Sequence, residues 1–420
     1  MKRELTAIEI VTTGEELLSG ATLDTNAAII AQALEPLGLR VVRSTTVGDD
    51  AGSIADALAS ALARTGVVIT TGGLGPTSDD TTKAAAAAVF GRPLEFRDDL
   101  WARLKERWAR RGRIPETNRR QAEVPAGAEV FPNPRGTAPG LAIEDERLGL
   151  CILLPGPPLE VEGLLRGAIV PFLAVRASGE SRRPFRRQLR TTGVAESAMA
   201  ERLARHLDDL ALDVACLPEV DGVDIRLTGW ASDEAEVASR LDEAVKRLRE
   251  IFGLHIYAEG SRDLAQVVGD LLRERGLTLA VAESCTAGLI ARRLTDFSGS
   301  SDYFWGGMIV YDDRAKVKLL GVSEETLRQH GAVSEETARE MAEGAWRRSG
   351  SLAAIAVTGI AGPAGGTEAK PVGTVWLAVR LEKVTVAKRR YYPGTRHMVC
   401  AQAAQGGLDL LRRTLLQAQP

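Results

Sequence analysis

Short apolar runs alternate with longer stretches of helical spacing over the first part of the chain. The runs are rich in β-branched residues, which predicts strands at AIEIVTT, LRVVRSTTV, TGVVITT and, later, LGLCILLPGPP. The stretches between the first three runs and after them repeat apolar residues at the helical period: TNAAIIAQALEPL, SIADALASALAR and TTKAAAAAVF. This order predicts a parallel or mixed sheet with helices on both faces, as a domain over residues 1–170.

The pattern changes after residue 170. Short predicted strands (FRRQLRTTG, VACLPEV, VDIRLTGW) are interleaved with two amphipathic segments, ESAMAERLARHL and DEAEVASRLDEAVKRLREIFG, which predicts a small α+β domain over residues 171–255. Residues 258–420 return to α/β alternation, with strands at LTLAVAE, GGMIVY, LAAIAVTG and GTVWLAVRL and a helix at CTAGLIARRLTD. The fold class is therefore α/β and multidomain.

Composition removes several classes of function. The net charge of −3 gives no reason to expect direct nucleic-acid binding or an anionic membrane surface. The cysteines lie far apart and form no CxxC pair, which argues against a disulfide framework and a zinc site: Cys151, Cys216, Cys285 and Cys400. No apolar run is long enough for a membrane span, so we expect a cytoplasmic protein.

A glycine-rich loop follows the third predicted strand, in GVVITTGGLGPTSDDTTK. Gly72 and Gly73 allow a close backbone approach, and the next helix offers N–H donors to a phosphate. Asp79 and Asp80 would repel a bare phosphate, so their presence suggests a divalent cation between them. The alternative is that these acids cap the helix. Lys83, one turn further on, either neutralises a phosphate or is solvated.

A second loop follows the first strand, in TTGEELLSGATLDTN. It carries Gly14, Glu15, Asp24 and Asn26, although Asp24 also suits a helix cap. Both loops follow parallel strands, and open α/β sheets bind ligands at the carboxyl ends of their strands. We therefore expect the two loops to share one site.

These loops carry a resemblance. TTGGLGPTSDD is similar to the pterin-phosphate loop of the MoaB/MogA-like molybdopterin-binding fold. Together with GEELLSGATLDTN, NPRGTAPG and LPGPPLE it resembles the N-terminal domain of the CinA (competence/damage-inducible protein A) family. That resemblance implies hydrolysis of ADP-ribose to AMP and ribose 5-phosphate with Mg²⁺ or Co²⁺, and K⁺ as a further candidate. It implies metal ligation by Asp24, Asp79 and Asp80, and ADP-ribose binding by Gly14, Glu15, Asn26, Gly72, Gly73, Lys83 and Asn133.

A second candidate site lies at VAESCTAGLI, where a predicted strand passes into a predicted helix. Ser284 and Cys285 are both potential nucleophiles, and backbone N–H groups near 285–286 suit an oxyanion. Lys316 is a candidate base beside Tyr311, with an ordinary surface lysine as the alternative. We expect Cys285 to be a small buried residue at the helix start, because no cation near it favours a thiolate.

The motifs AESCTAG, YDDRAK, VTGIAGPAGG, KPVGTVW and YYPGTR resemble the C-terminal domain of the CinA family. That domain is similar to nicotinamide mononucleotide (NMN) deamidase, which releases ammonia and nicotinate mononucleotide without a cofactor. The resemblance implies catalysis by Ser284, Lys316 and Tyr311, and NMN binding by Thr286, Thr358, Gly359 and Arg396. Ala287 stands where the family has glycine; we expect a helix to accept it, with some tightening of the pocket.

The middle domain resembles the KH-like region of the same family, but its TTGVAES lacks the second glycine of a GXXG clamp. We interpret it as a connector or dimer element, and the family implies a homodimer. The nucleotides NMN and ADP-ribose are then the expected partners, with neither membrane nor direct nucleic-acid contact. Two alternatives remain: pterin binding or adenylyl transfer by the first domain, and a non-enzymatic adaptor for recombination proteins.

Overall fold

The structure is a computed structural model that describes residues 5–109, 112, 114–177, 182–203 and 208–418. The chain divides into two units, one of Met1–Pro184 with Trp230–Glu236 and one of Phe185–Gly229 with Val237–Pro420. Three sheets of four or more strands organise the described residues, and each is taken in turn.

The first sheet has six strands, and its core is four parallel strands that end on the same edge. The strand order is β2-β1-β3-β8-β7-β6, with β2, β1, β3 and β8 parallel and the last two pairings antiparallel. A separate pair, β4 and β5, is antiparallel. The strands are β1 (Ala7–Thr13), β2 (Arg40–Val47), β3 (Val67–Thr71), β4 (Leu94–Phe96), β5 (Glu123–Pro125), β6 (Glu129–Phe131), β7 (Gly140–Asp145) and β8 (Gly149–Leu154).

Helices cover both faces of this sheet, as the alternation predicts. One apolar cluster gathers around Leu58, Val68 and Leu141, and another around Ile30 and Ile152. Because both faces are buried, the central strands read as continuous apolar runs. The helices are α1 (Glu15–Leu18), α2 (Asn26–Leu34), α3 (Ala51–Thr65), α4 (Thr82–Val89), α5 (Asp98–Trp108), α6 (Pro158–Leu164) and α7 (Val170–Ala174).

The middle sheet has the order β10-β11-β9-β12. Its strands are β9 (Arg183–Thr191), β10 (Asp213–Glu219), β11 (Gly222–Ala231) and β12 (Ile256–Glu259), and its helices are α8 (Glu196–Leu203) and α9 (Ala235–Phe252). The apolar residues of α9, among them Leu241 and Leu248, recur at helical spacing and are buried. Residues 204–207, the end of the predicted helix ESAMAERLARHL, lie outside the described residues.

The C-terminal sheet has the order β14-β13-β15-β16-β17, in which β14, β13 and β15 are parallel and the other two pairings are antiparallel. Its strands are β13 (Leu279–Glu283), β14 (Phe304–Ile309), β15 (Ala353–Gly359), β16 (Thr374–Leu381) and β17 (Val384–Tyr391). Its helices are α10 (Leu264–Glu274), α11 (Leu289–Thr295), α12 (Asp313–Ala315), α13 (Glu324–His330), α14 (Glu335–Ser349) and α15 (Arg396–Gln417). The predicted strands are all present.

Within the described ranges, none of the helices combines the length and the hydropathy that crossing a membrane requires.

Two candidate active sites

A layer of threonines closes the carboxyl edge of the first sheet. The Oγ1 atoms of Thr13 and Thr82 lie 3.3 Å apart, and the Thr71 hydroxyl donates to the carbonyl oxygen of Pro155 at 2.7 Å. The Asn26 amide donates to Thr71 Oγ1 at 3.0 Å and to the Gly156 carbonyl at 2.7 Å. The loops after β1, β3 and β8 are therefore joined at one edge, as the sequence predicts for a shared site.

The glycines of the β3–α4 loop are required by packing within the protein. Gly72 and Gly73 both have positive φ, at 104° and 65°. A Cβ at Gly72 would lie 2.5 Å from the Thr13 carbonyl oxygen, and one at Gly73 would lie 2.2 Å from Thr82 Oγ1. The loop thus presses on the end of β1 and on the start of α4, which leaves no room for side chains.

The two acids of this loop have different roles. Asp80 accepts from the backbone N–H groups of Gly75 and Thr77, both at 2.7 Å, and from the Thr77 hydroxyl at 2.6 Å. It therefore fixes the loop from within. Within the described ranges the Asp79 carboxylate accepts only from the neighbouring Ser78 hydroxyl, at 2.8 Å, so it is the carboxylate available to a ligand.

The described side chains at this edge of the sheet do not form a complete metal site by themselves. Asp24 accepts from the N–H of Ala27 at 3.2 Å and so starts α2. Among the residues that the structure describes, no group of three or more His, Cys, Asp or Glu side chains is placed to hold a metal ion. The donor set suits a Mg²⁺-like ion that takes one or two carboxylates here and completes its shell with substrate phosphates and water.

The other residues predicted to bind ADP-ribose mainly make hydrogen bonds that hold the backbone of their loops in place. The N–H of Gly14 donates to the Val47 carbonyl, and that of Glu15 to Asp49. The Asn133 amide donates to the Ala138 carbonyl at 2.8 Å and to Glu160 at 2.6 Å, and its oxygen accepts from two N–H groups of its own loop. Its side chain is fully engaged in shaping that loop.

Lys83 is buried under the loop and does not project into solvent. Its amine donates to the carbonyl oxygen of Arg120. Burial lowers the pKa of Lys83 to about 8, with the nearby carboxylates of Glu123 and Asp80 opposing the shift. Lys83 is therefore neither solvated nor directed at a phosphate, contrary to the prediction from the sequence. It anchors the segment after Pro115 against α4.

The second site forms at the carboxyl ends of β13 and β14. Ser284 directly follows β13, is buried, and donates its N–H to the Val357 carbonyl of β15 at 3.0 Å. The N–H of Val310 donates to the Glu283 carbonyl at 2.8 Å, which holds the end of β14 beside it. Ser284 and Tyr311 thus leave adjacent parallel strands at the same edge.

Lys316 and Arg396 both contact Tyr311. The Lys316 amine, which is buried, donates to the Tyr311 carbonyl and to the Asp313 carboxylate, each at 3.0 Å. Arg396 donates to the Tyr311 hydroxyl at 2.6 Å and to the Gly362 carbonyl at 2.9 Å. The hydrogen bond that Arg396 donates to Tyr311 raises the pKa of the Arg396 guanidinium. The structure therefore brings together three of the predicted residues and the 360–366 loop.

The sequence analysis missed the role of Glu283. Its buried carboxylate accepts from the N–H groups of Gly288, Ile290 and Ala291 at 3.0, 3.1 and 2.9 Å. These are the free donors at the start of α11, where a negative charge is favourable. An acid placed just before Ser284 and a helix start is the signal that would have found it.

Glu283 also determines which donors remain. The N–H of Ala287 donates to the Ser284 carbonyl and that of Leu289 to the Thr286 carbonyl. In the part of the chain that the structure describes, the N–H groups of Cys285 and Thr286 have no acceptor. These are the two donors that the sequence predicts for an oxyanion, and they follow Ser284 directly.

The segment 285–288 is a turn, so the predicted helix start at Cys285 is wrong and α11 begins at Leu289. Ala287 has φ 51° and Gly288 has φ 102°, and two consecutive positive φ values are incompatible with a right-handed helix. The expectation that a helix accepts Ala287 is wrong for the same reason. The family's glycine at this position matches the backbone conformation.

Cys285 and the remaining predicted residues are buried around this turn. Burial raises the pKa of the Cys285 thiol to about 12, which disfavours a thiolate nucleophile. The Thr286 hydroxyl is buried and has no partner in the described residues. The Thr358 hydroxyl donates to the Ala332 carbonyl at 2.7 Å. A Cβ at Gly359 would lie 2.7 Å from a methyl of Val375, so this glycine too is required by packing.

Three regions of the chain are similar to known protein families. Three family models match: a probable molybdopterin binding domain over residues 9–175, the damage-inducible protein CinA KH domain over 186–258, and the CinA C-terminal domain over 261–415. A CinA-like protein of Gemmatimonas aurantiaca is 48% identical over 411 residues, which are 97% of this chain and 96% of the relative.

A putative competence-damage inducible protein of Symbiobacterium thermophilum is 47% identical over 420 residues, covering 97% of this chain and 98% of its own length. Among solved structures, the competence/damage inducible protein CihA of Agrobacterium tumefaciens is 42% identical over 37% of this chain and 94% of its own, with a TM-score of 0.36.

Proposed function

The chain belongs to the CinA family, and from that premise we propose that it is a bifunctional pyridine-nucleotide hydrolase. The C-terminal site deamidates NMN to nicotinate mononucleotide and ammonia, and the N-terminal site hydrolyses ADP-ribose to AMP and ribose 5-phosphate. The observation that carries the first activity is the pair of free N–H groups, of Cys285 and Thr286, directly after the buried Ser284. Such donors stabilise the oxyanion of acyl transfer.

Deamidation begins when Ser284 Oγ attacks the carboxamide carbon of NMN and Lys316 accepts the hydroxyl proton. Before that step the amine must be deprotonated and must leave its ion pair with Asp313. The oxyanion then lies against the two backbone N–H groups. When it collapses, the C–N bond breaks, and the proton on Lys316 passes to the departing ammonia. Water hydrolyses the acyl-enzyme and restores Ser284.

Tyr311 and Arg396 suit the rest of the substrate. Their side chains form one hydrogen-bonded pair, and Arg396 stands at the start of α15, where the helix dipole favours an anion. We assign the NMN phosphate to this end of the site. Tyr311 then hydrogen-bonds between the phosphate-binding arginine and the reacting group.

For the N-terminal site, support comes from the convergence of loops at one sheet edge and from the free carboxylate of Asp79. We propose that Asp79 and Asp24 are the residues that would hold a divalent cation here; such an ion would supply charge neutralisation at the pyrophosphate and activation of a water. The loop of Gly72 and Gly73, fixed by Asp80, orients the substrate pyrophosphate. K⁺ is a further candidate ion at this edge.

The first experiment is ammonia release from NMN by the purified protein. Ser284→Ala and Lys316→Ala should lower kcat by about a thousandfold or more, because each removes a group that acts at the reacting atoms. Cys285→Ala should retain activity, and Lys318→Ala, an exposed lysine on the same segment, is the matched control. Full activity in the Ser284 variant would end the proposal for this site.

The second experiment is AMP release from ADP-ribose with Mg²⁺ or Co²⁺. Asp79→Asn should abolish turnover with little effect on folding, since among the described residues the Asp79 carboxylate accepts only from the Ser78 hydroxyl. Asp56→Asn, an exposed acid on α3, is the control.

A second candidate for the N-terminal domain is pterin binding, because its family model describes a probable molybdopterin binding domain. Binding of a pterin with no turnover of ADP-ribose, under the same metal conditions, would favour that candidate. We also propose a homodimer, which sedimentation tests directly.

A further inference from the structure

A cleft of about 150 Å³ lies between α5 and the loop 132–139 in the first unit. Its apolar lining comes from two elements: Leu100 and Leu104, one helical turn apart on α5, and Pro132 and Pro139 in the loop. Leu100 and Leu104 are almost fully buried, so this part of the lining belongs to the domain core. A planar ring placed between the two elements would have apolar contacts from both.

Two arginines add hydrogen-bond donors to the cleft, and the amide oxygens of Gln121 and Asn133, which also line it, already accept hydrogen bonds within the protein. Arg107 donates to the carbonyl oxygens of Asn133 and Pro134, which fixes its guanidinium at one wall. Arg103 lies one turn earlier on α5, and no described residue gives it a hydrogen bond or an ion pair. A guanidinium has no acceptor, so this free group can only donate or stack on a π-face.

Thr137 completes the donor set. Its oxygen accepts from the amide of the buried Gln121 at 3.1 Å, and the Gln121 carbonyl accepts from Asn118 at 2.9 Å. Because the Thr137 oxygen is already an acceptor, its proton is left to donate into the cleft. The ligand should therefore be planar, apolar on its faces and rich in acceptors at its edge. A purine without an exocyclic carbonyl, such as adenine, has these properties through its ring nitrogens.

The cleft is connected to the glycine-rich loop by the segment 116–122. Arg120 donates to the Thr77 carbonyl of that loop at 3.1 Å, and its own carbonyl accepts from the amine of Lys83. Gln121, the next residue, lines the cleft. One short segment thus forms a wall of the cleft and supports the loop assigned to the pyrophosphate.

We propose that this cleft binds the adenine base of the ADP-ribose substrate, with Arg103 stacked on the ring and Thr137 hydrogen-bonded to its edge. The inference rests on the proposed ADP-ribose hydrolysis, which assigns no residues to the base. It also predicts which product is held by which part of the site: AMP depends on the cleft, and ribose 5-phosphate does not.

The test is calorimetric binding of AMP, adenosine and ribose 5-phosphate to the full chain. Arg103→Ala and Thr137→Val should each lower the affinity for AMP and for adenosine by about tenfold, which corresponds to one good hydrogen bond or stacking contact. The affinity for ribose 5-phosphate should not change. Lys105→Ala is the matched control, because it removes an exposed cation from the same helix outside the cleft. Unchanged melting temperatures confirm that the variants are folded.

The outcomes separate this inference from the proposed function. If the protein hydrolyses ADP-ribose but Arg103→Ala leaves AMP affinity and KM within twofold of wild type, the assignment of the cleft is wrong. The assignment is also wrong if Arg103→Ala lowers the affinity for ribose 5-phosphate and leaves the affinity for adenosine unchanged. If adenosine and AMP bind and depend on Arg103 while ADP-ribose is not hydrolysed, the cleft assignment stands and the proposed hydrolysis fails.

Discussion

Ala287 is one side chain in a backbone conformation that favours glycine. Its φ of 51° lies in the left-handed region, which costs a residue with a Cβ about 1 kcal/mol or more. We expect Ala287→Gly to relieve that strain and to raise the melting temperature of the C-terminal transition by about 2 °C, after the greater entropy of an unfolded glycine is subtracted. Differential scanning calorimetry measures this.

The control is the same substitution in regular helix. Ala291 lies within α11, so Ala291→Gly should lower the melting temperature, because glycine destabilises a helix interior by about 1 kcal/mol. If both variants are destabilised equally, Ala287 is not strained.

Lys83 gives the N-terminal domain a pH dependence of stability. Its folded pKa is about 8 and its ordinary value is 10.5, so between these values the unfolded chain binds a proton that the folded chain has released. Stability from this group therefore rises with pH across that window, by about 3 kcal/mol in total, and the desolvation penalty is fully present below pH 8.

Lys83→Met removes the buried charge and with it this dependence. The variant should gain stability relative to wild type at pH 7, and the gain should shrink as the pH rises toward 10. Urea unfolding at several pH values measures the difference, with the exposed Lys105→Met as the control. A difference that does not change with pH would show that Lys83 is not the group responsible.

At the scale of elements, the turn between β13 and α11 depends on Glu283. Glu283→Gln keeps the shape but halves the acceptor oxygens and sets an NH₂ group against backbone donors. We expect a loss of about 2 kcal/mol in stability and a lower kcat, because the turn also orients the N–H groups of Cys285 and Thr286. Glu274→Gln, on an exposed part of α10, should change neither.

The same turn shows the limits of prediction from the sequence. The short apolar run LTLAVAE, rich in residues that favour strands, predicts a strand, and it is present as β13. The start of α11 was placed four residues too early, because helical spacing in CTAGLIARRL does not reveal that Glu283 accepts from the N–H groups of 288, 290 and 291. Periodicity reports which face is buried; a cap formed from the preceding strand is a tertiary contact.

The candidate residues divide in a similar way. Ser284, Tyr311 and Arg396 were predicted to share a site, and they lie at one sheet edge because parallel strands end together. The buried position of Lys83 and the cleft beside Arg103 depend on the segment 116–122 folding back over α4. No local pattern in the sequence specifies that approach.

At the scale of the molecule, the middle and C-terminal parts of the second unit are joined through α11 and α15. Arg293 on α11 donates to Asp263 at 2.9 Å and to Gln405 at 2.8 Å, and it lies 3.6 Å from Asp221 in the hairpin between β10 and β11. Arg412 on α15 donates to the Leu254 carbonyl. Both helices that begin at the C-terminal candidate site therefore also contact the middle sheet or the residues beside it.

These contacts should contribute differently to the free energy of unfolding. Arg293→Ala removes the donor to the buried Gln405 oxygen and the charged partner of Asp263, which keeps the N–H of Ala265, so we expect a loss of about 2 kcal/mol. Asp221→Asn weakens only the longer ion pair, which spans 3.6 Å against 2.9 Å to Asp263, and should cost less than about 1 kcal/mol. Thermal unfolding of the two variants, each beside wild type, checks the order; a larger loss for Asp221→Asn would contradict it.

Gly72 and Gly73 have a consequence for how such proteins are interpreted across genomes. A side chain at Gly72 would collide with the Thr13 carbonyl, and one at Gly73 with the Thr82 hydroxyl. Selection for folding alone is therefore enough to retain both glycines. A descendant that had lost catalysis would still carry the glycine-rich motif. The Asp79 carboxylate accepts one described hydrogen bond, from Ser78, so folding alone gives little reason to retain it. Under the proposed hydrolysis, the identity of residue 79, and not that of the glycines, would therefore indicate whether a relative has kept the reaction.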